Sequence, residues 1–219
     1  KSGLELTLLT NYYGPLYLTT LLLPVLSKEK EKEKEKAPGG SRRVVNVCSR
    51  LEKGHTWGEE DIAGSPTGLL SAAQADKYSY MVQYGNSKFL QLLATRGQGE
   101  AYRKDNVVVH AVTPGMVHTG LAGSVLWSPL AWLSQPIQRL LLRTPEQGAA
   151  AVVYAATASL PGSTTGKYWT ADKAGKCTEE SGSEQSQSLR LAAALLQSSQ
   201  KQLTAAVSRE AGAELGKPN

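Results

Sequence analysis

The chain has 219 residues, of which 41% are hydrophobic and 20% charged, with a net charge of +5. That is ordinary for one soluble globular domain with a real core. Two cysteines and three histidines, with no CxxC or HExxH spacing, exclude a disulfide framework and a motif-built metal site, so a reducing, intracellular compartment is expected. The positive charge suits anionic partners such as phosphorylated cofactors, but the basic residues are scattered and no nucleic acid is expected.

Residues 3–26 read as a helix that ends near Pro24 to Ser27, with Pro15 kinking it or resetting its start. Its apolar run is broken by Glu5, Asn11, Gly14 and Pro15, which argues for a buried or amphipathic helix over a membrane span or signal peptide. The segment 28–41 alternates Lys and Glu and closes on Pro38-Gly39-Gly40. It reads as a low-complexity, solvated insertion, in preference to an electrostatic docking tail. A short β-branched run, RRVVNVCS (42–49), predicts a buried strand.

Residues 50–77 are polar and glycine-containing and predict a long loop with one short helix. Residues 78–103 predict a helix, and NVVVHAVTP (106–114) a second buried strand stopped by Pro114-Gly115. At 144–158, Thr144 as N-cap, Pro145 and Glu146 make a good helix start. TTGKYWT (164–170) predicts a third strand. The tail 179–219 is rich in Ser, Gln and Ala and reads as an extension, partly helical around Leu189, Leu191, Leu195 and Leu196 and otherwise poorly ordered.

Alternating helices and strands imply an α/β fold with a parallel sheet and helical crossovers. Three strands make a thin sheet, so a neighbouring part is expected to be missing. Functional crevices of such sheets lie at the carboxyl ends of the strands. Ser49 and the Pro114-Gly115 turn fall there. Tyr84 and Lys88, in YGNSK, stand at i, i+4 on one helix face. An ammonium beside a phenol favours phenolate and is expected to lower its pKa from about 10. A tyrosine so tuned suits general acid/base work.

The segments NYYGPLYLTTLLLPVL, VVNVCS, YGNSK and VHAVTPGMVHTGL occur in this order. Together they resemble the short-chain dehydrogenase/reductases, above all their retinol-dehydrogenase-like branch, over about residues 4–170. The resemblance implies a doubly wound, Rossmann-type parallel sheet, here its C-terminal part over 1–178. By position it implies Tyr84 as proton donor/acceptor, and Lys88 as the group that tunes Tyr84 and bonds the nicotinamide ribose. Ser49 would polarise the substrate carbonyl and Asn11 would hold a relay water. Pro114, Gly115, Val117 and Thr119 would seat the nicotinamide. Cys48 stands where the family usually has a non-catalytic serine and reads as a small buried residue.

The implied cofactor is NADP or NAD, with NADP favoured of the two. The implied reaction interconverts a lipophilic alcohol and its aldehyde or ketone. The apolar segment 120–143, with Trp127 and Trp132, falls at the family's substrate lid; it suggests either a lipophilic substrate with peripheral membrane contact or core packing under the lid. A homodimer through the helices of Asn11 and Tyr84 is implied by the resemblance alone. The family's opening strand and Gly-rich pyrophosphate turn have no counterpart: no GxGxxG or GxxxGxG occurs. The sequence therefore reads as the catalytic half without the N-terminal dinucleotide-binding strands. A second reading is an inactive homologue that works by dimerisation or protein binding.

Overall fold

The computed structural model describes residues 5–27, 42–63, 79–117, 142–161 and 164–215. The charged run 28–41, most of the lid segment and Thr119 lie outside the described residues.

The first helical stretch has three parts: α1 (Leu6–Leu8), a π-helical turn (Leu9–Tyr13) and α2 (Gly14–Leu26). Glu5 caps it, its carboxylate accepting from the Thr7 and Leu8 amides at 3.0 and 2.8 Å. Pro15 stands in the first turn of α2, so the regular helix restarts there, as expected of a proline that resets the start. Proline has no N–H to give to the carbonyl four residues earlier, that of Asn11. The ladder widens instead, and the Gly14 amide bonds to the Leu9 carbonyl. Such π-turns recur at functional positions, and this one carries Asn11.

Four strands form one sheet in the order β1 (Arg42–Val47), β2 (Val107–Thr113), β3 (Tyr168–Ala171), β4 (Cys177–Glu179). The first three are parallel, as the sequence predicts; β4 was not anticipated and pairs antiparallel to β3. A tight turn makes the extra strand, because the Asp172 carboxylate accepts from the Ala174 and Lys176 amides at 2.9 Å each. β2 is buried along its whole length, whereas β1 is half-buried and pairs on its outer side with no described strand.

A short 3-10 turn (Arg50–Gly54) and α3 (Glu59–Ala63) follow β1. Helix α4 (Tyr80–Ala101) then crosses to β2, and α5 (Pro145–Thr157) crosses from β2 to β3. The two crossovers pack on opposite faces. Ala111 and Tyr168 meet Leu92 of α4, while Val112, Trp169 and Ala171 meet Ala151 and Ala155 of α5. This is the doubly wound arrangement. Thr144 caps α5 in a complete capping box with Gln147.

The tail departs most from expectation. Residues 180–188 are tied down: the Ser183 amide donates to the fully buried Glu52 carboxylate at 3.1 Å, and Arg50 and Lys53 pair with Glu180 at 2.9 and 2.8 Å. Helix α6 (Leu189–Leu215) lies along α4. Its Leu191, Ala192, Leu195 and Leu196 join one core with Tyr12, Tyr13, Phe89, Leu90 and Leu93. The helices touch closely at Gly97, where a β-carbon would sit 2.8 Å from the Ala192 carbonyl oxygen.

Candidate active site

Three elements converge at the carboxyl end of β1. Val47 is opposite Val112, so Ser49 and Pro114 leave the sheet at the same edge, and the Cys48 amide still bonds to the Val112 carbonyl at 2.7 Å. The 3-10 turn after Ser49 lies directly on α4. A β-carbon on Gly85 would come within 2.9 Å of the Leu51 carbonyl oxygen. Glycine next to Tyr84 thus lets the Ser49 segment approach the tyrosine helix.

Tyr84 is half-buried. Burial is the largest influence on its phenol and raises its pKa. The Ser49 hydroxyl beside it works the other way, and Tyr80 and Cys48 add to the rise. The net direction is upward, which corrects the expectation of a depressed phenol. Burial outweighs the Ser49 hydroxyl, and Lys88 is not turned toward the phenol. Its ammonium is 5.7 Å from the centroid of the Tyr84 ring. It is bonded instead to the Val47 carbonyl at 2.9 Å and to Gln91 Oε1 at 3.0 Å. Lys88 is itself buried, and desolvation draws its own pKa downward.

Asn11 reaches α4 one turn beyond Tyr84. Its Nδ2 donates to Ser87 Oγ at 3.1 Å, and that hydroxyl donates to the Tyr84 carbonyl at 2.7 Å. The π-turn is fixed from behind by α6: the Tyr12 hydroxyl meets Ser199 Oγ at 2.7 Å, and the Tyr13 hydroxyl donates to Gln202 at 2.7 Å. Asn11, Ser49, Tyr84 and Lys88 are therefore brought together. Ser87 and Gln91 belong to the same network and escaped notice in the sequence. Their signal was positional, since both are within one turn of Lys88.

The Pro114-Gly115 turn stands at the end of β2. Gly115 has φ of 74°, in the left-handed region that favours glycine. The Arg143 guanidinium braces the turn by donating to the Pro114 carbonyl at 2.9 Å, and Val117 pairs with Arg143. Gly148 in the first turn of α5 leaves room for the Val117 and Pro114 side chains. His55 stacks on Phe89 at 3.7 Å and so supports α4. Cys48 is buried, and burial pushes its thiol up to about 12, which suits a packing residue. Among the described residues no cluster of potential metal ligands occurs, and no helix is long and apolar enough to cross a membrane.

A phenol, a hydroxyl and an ammonium on one sheet edge, beside a braced Pro-Gly turn, are equipped for proton transfer to an oxygen. No family profile matches the sequence. Polyprenol dehydrogenase of Danio rerio is 35% identical over 161 residues, which are 73% of this chain and 44% of that protein. The chain belongs to the short-chain dehydrogenase/reductase family. Retinol dehydrogenase 14 of Mus musculus is 30% identical over 184 residues, covering 82% of this chain and 47% of that one. An uncharacterized Mycobacterium paratuberculosis protein of known structure shares the fold at a TM-score of 0.60 and 24% identity, over 91% of this chain and 59% of its own. The chain thus spans about half the length of the curated dehydrogenases it matches.

Proposed function

We propose that this chain carries the proton-transfer site of a nicotinamide-dependent oxidoreductase acting on a lipophilic alcohol or the corresponding carbonyl. The observation that carries this reading is the convergence of Ser49, Tyr84 and Lys88, with Asn11 and Ser87 holding the Tyr84 turn. The residues fit the nicotinamide end of the cofactor. Gly115, in the left-handed region, shapes the turn of Pro114 and Val117 that would receive the carboxamide, and Thr119 follows it in sequence. Lys88 and Tyr84 would meet the ribose. When bound, the nicotinamide supplies or accepts the hydride at the carbinol carbon. These residues would meet the nicotinamide and its ribose, which NADP and NAD share; the choice between the two lies at an acidic or basic residue beyond a Gly-rich turn, and the sequence has no such turn.

For reduction, Tyr84 Oη gives its proton to the carbonyl oxygen as that oxygen gains negative charge. Ser49 Oγ donates a hydrogen bond to the same oxygen. The resulting phenolate lies on the same helix face as the Lys88 ammonium, which stabilises it. For oxidation the proton returns along the same line. The raised phenol means that the free site is in its proton-donating form at neutral pH. The relatives' names, polyprenol dehydrogenase and retinol dehydrogenase 14, favour a long isoprenoid alcohol as first candidate.

The test is turnover of retinol and a polyprenol with NADP+ and NAD+, comparing the natural protein with Tyr84→Phe. Loss of about 100-fold or more in kcat in the folded variant is expected. Equal turnover in both would overturn the role of Tyr84. No turnover and no cofactor binding in the natural protein would overturn the enzyme reading and leave association with another protein as the remaining one.

A further inference from the structure

Lys88 is held from below by a residue outside the four-residue motif. An ammonium has three N–H donors. Two are used, one on the Val47 carbonyl and one on Gln91 Oε1. Gln91 follows Lys88 by one helical turn and is only 6% exposed. Its Oε1 also faces the Cys48 thiol, at 3.7 Å. Its backbone carbonyl accepts from the Thr95 hydroxyl at 2.8 Å, and that hydroxyl accepts from the Asn46 amide at 2.9 Å. The Gln91 backbone is thus tied through Thr95 to Asn46 of β1, and its buried side-chain amide is set against Cys48 just beyond that strand. A buried amide so anchored is a fixed acceptor. Two fixed acceptors on a tetrahedral ammonium also fix the direction of its third N–H.

The geometry points to Gln91 as the positioning residue that sets where the Lys88 ammonium stands and where its remaining N–H is aimed. This inference rests on the proposed role of Lys88 beside Tyr84. The physical case is direct. Lys88 pays for burial by desolvation of its charge, and an acceptor that bonds the ammonium more strongly than the neutral amine offsets that cost. Hydrogen bonds with one charged partner are the stronger ones. The titratable groups nearest the ammonium are Tyr84 on its own helix and Cys48 at the end of β1. The carboxylate of Glu52 acts on Cys48 from the following turn, as does Arg96 from α4. None of these is a hydrogen-bond acceptor for Lys88; Gln91 is.

Gln91→Leu keeps the size and removes the acceptor; Gln91→Asn keeps the amide but draws it back; Gln91→Glu restores an acceptor of the same reach. Lysine Nζ of 15N-labelled protein is titrated by NMR, with the Lys88 signal assigned by its loss in Lys88→Ala. The Lys88 midpoint is expected to fall by about one unit or more in Gln91→Leu and Gln91→Asn. In Gln91→Glu it is expected to stay or rise. In turnover, Gln91→Leu and Gln91→Asn are expected to lose about tenfold or more in kcat with little change in KM, as displaced catalytic groups do. An unchanged Lys88 midpoint in a folded Gln91→Leu or Gln91→Asn protein overturns the inference. A shifted midpoint in a protein that turns over no alcohol keeps Gln91 as the Lys88 anchor and overturns the enzyme reading alone.

Discussion

Replacing His110 with leucine should remove a specific acid sensitivity. His110 lies in the middle of β2 on the face covered by α5, with no exposed surface and an edge-on Trp169 ring 5.9 Å away. Neither ring nitrogen has a hydrogen-bond partner among the described residues. Burial, followed by the positive charge of Arg43, holds its pKa down to about 4, against 6.5 for a free imidazole; Glu179 opposes the shift and Lys167 adds to it. A histidine depressed in the folded state takes its proton more readily once unfolded. Stability is therefore fully present above about pH 6.5, falls as pH drops through that value, and levels off below about pH 4. A shift of this size corresponds to about 3 kcal/mol over the whole window, of which about 2 kcal/mol appears between pH 7 and pH 4.5. The assay is urea denaturation of the natural protein and His110→Leu at both pH values. Other groups titrate in both proteins, so the difference between the two pH dependences isolates His110. Equal loss of stability in both proteins would refute the reasoning, because it would mean that the imidazole is solvated or paired.

Gly97→Val should cost about 1–3 kcal/mol, because a β-carbon there meets the Ala192 backbone, which has little room to yield; a thermal melt reads it. Ser199→Ala leaves the buried Tyr12 hydroxyl without its partner and should cost about 1–3 kcal/mol. Adding Tyr12→Phe should recover much of that loss, as a double-mutant cycle would show. Ultraviolet titration of phenols, with Tyr84→Phe as the blank, should find Tyr84 ionising above the usual tyrosine range. Ser49→Ala should push it higher still, since the Ser49 hydroxyl is what opposes the rise.

The parallel strands and their crossovers were legible because each carries a strong local signal. Val107 to Val112 can only be an interior strand, and Thr144-Pro145 can only open a helix. The grouping of Asn11, Ser49, Tyr84 and Lys88 was legible from motif order. What escaped depends on tertiary contacts. The π-turn follows from a missing N–H at Pro15, but its closing contact is Ser87, 76 residues away. Strand β4 has three residues and depends on the Asp172 turn. The direction of the Tyr84 shift is set by burial, which is not written in the i, i+4 spacing. The tail read as poorly ordered beyond its leucines, yet α6 lies along α4 and approaches it closely where Gly97 faces Ala192.

That closeness affects the order of events in folding. Tyr12 and Ser199 are 187 positions apart, so the contact that steadies the Asn11 turn closes nearly the whole chain into a loop. Long-range closures of this kind are reached late and slow the search. The Tyr84 helix can form from neighbours in sequence and the β1–β2 pairing spans 65 residues, from Arg42 to Val107, but the turn bearing Asn11 gains its backing only when α6 docks. The Asn11 turn should therefore settle after the bulk of the secondary structure during refolding.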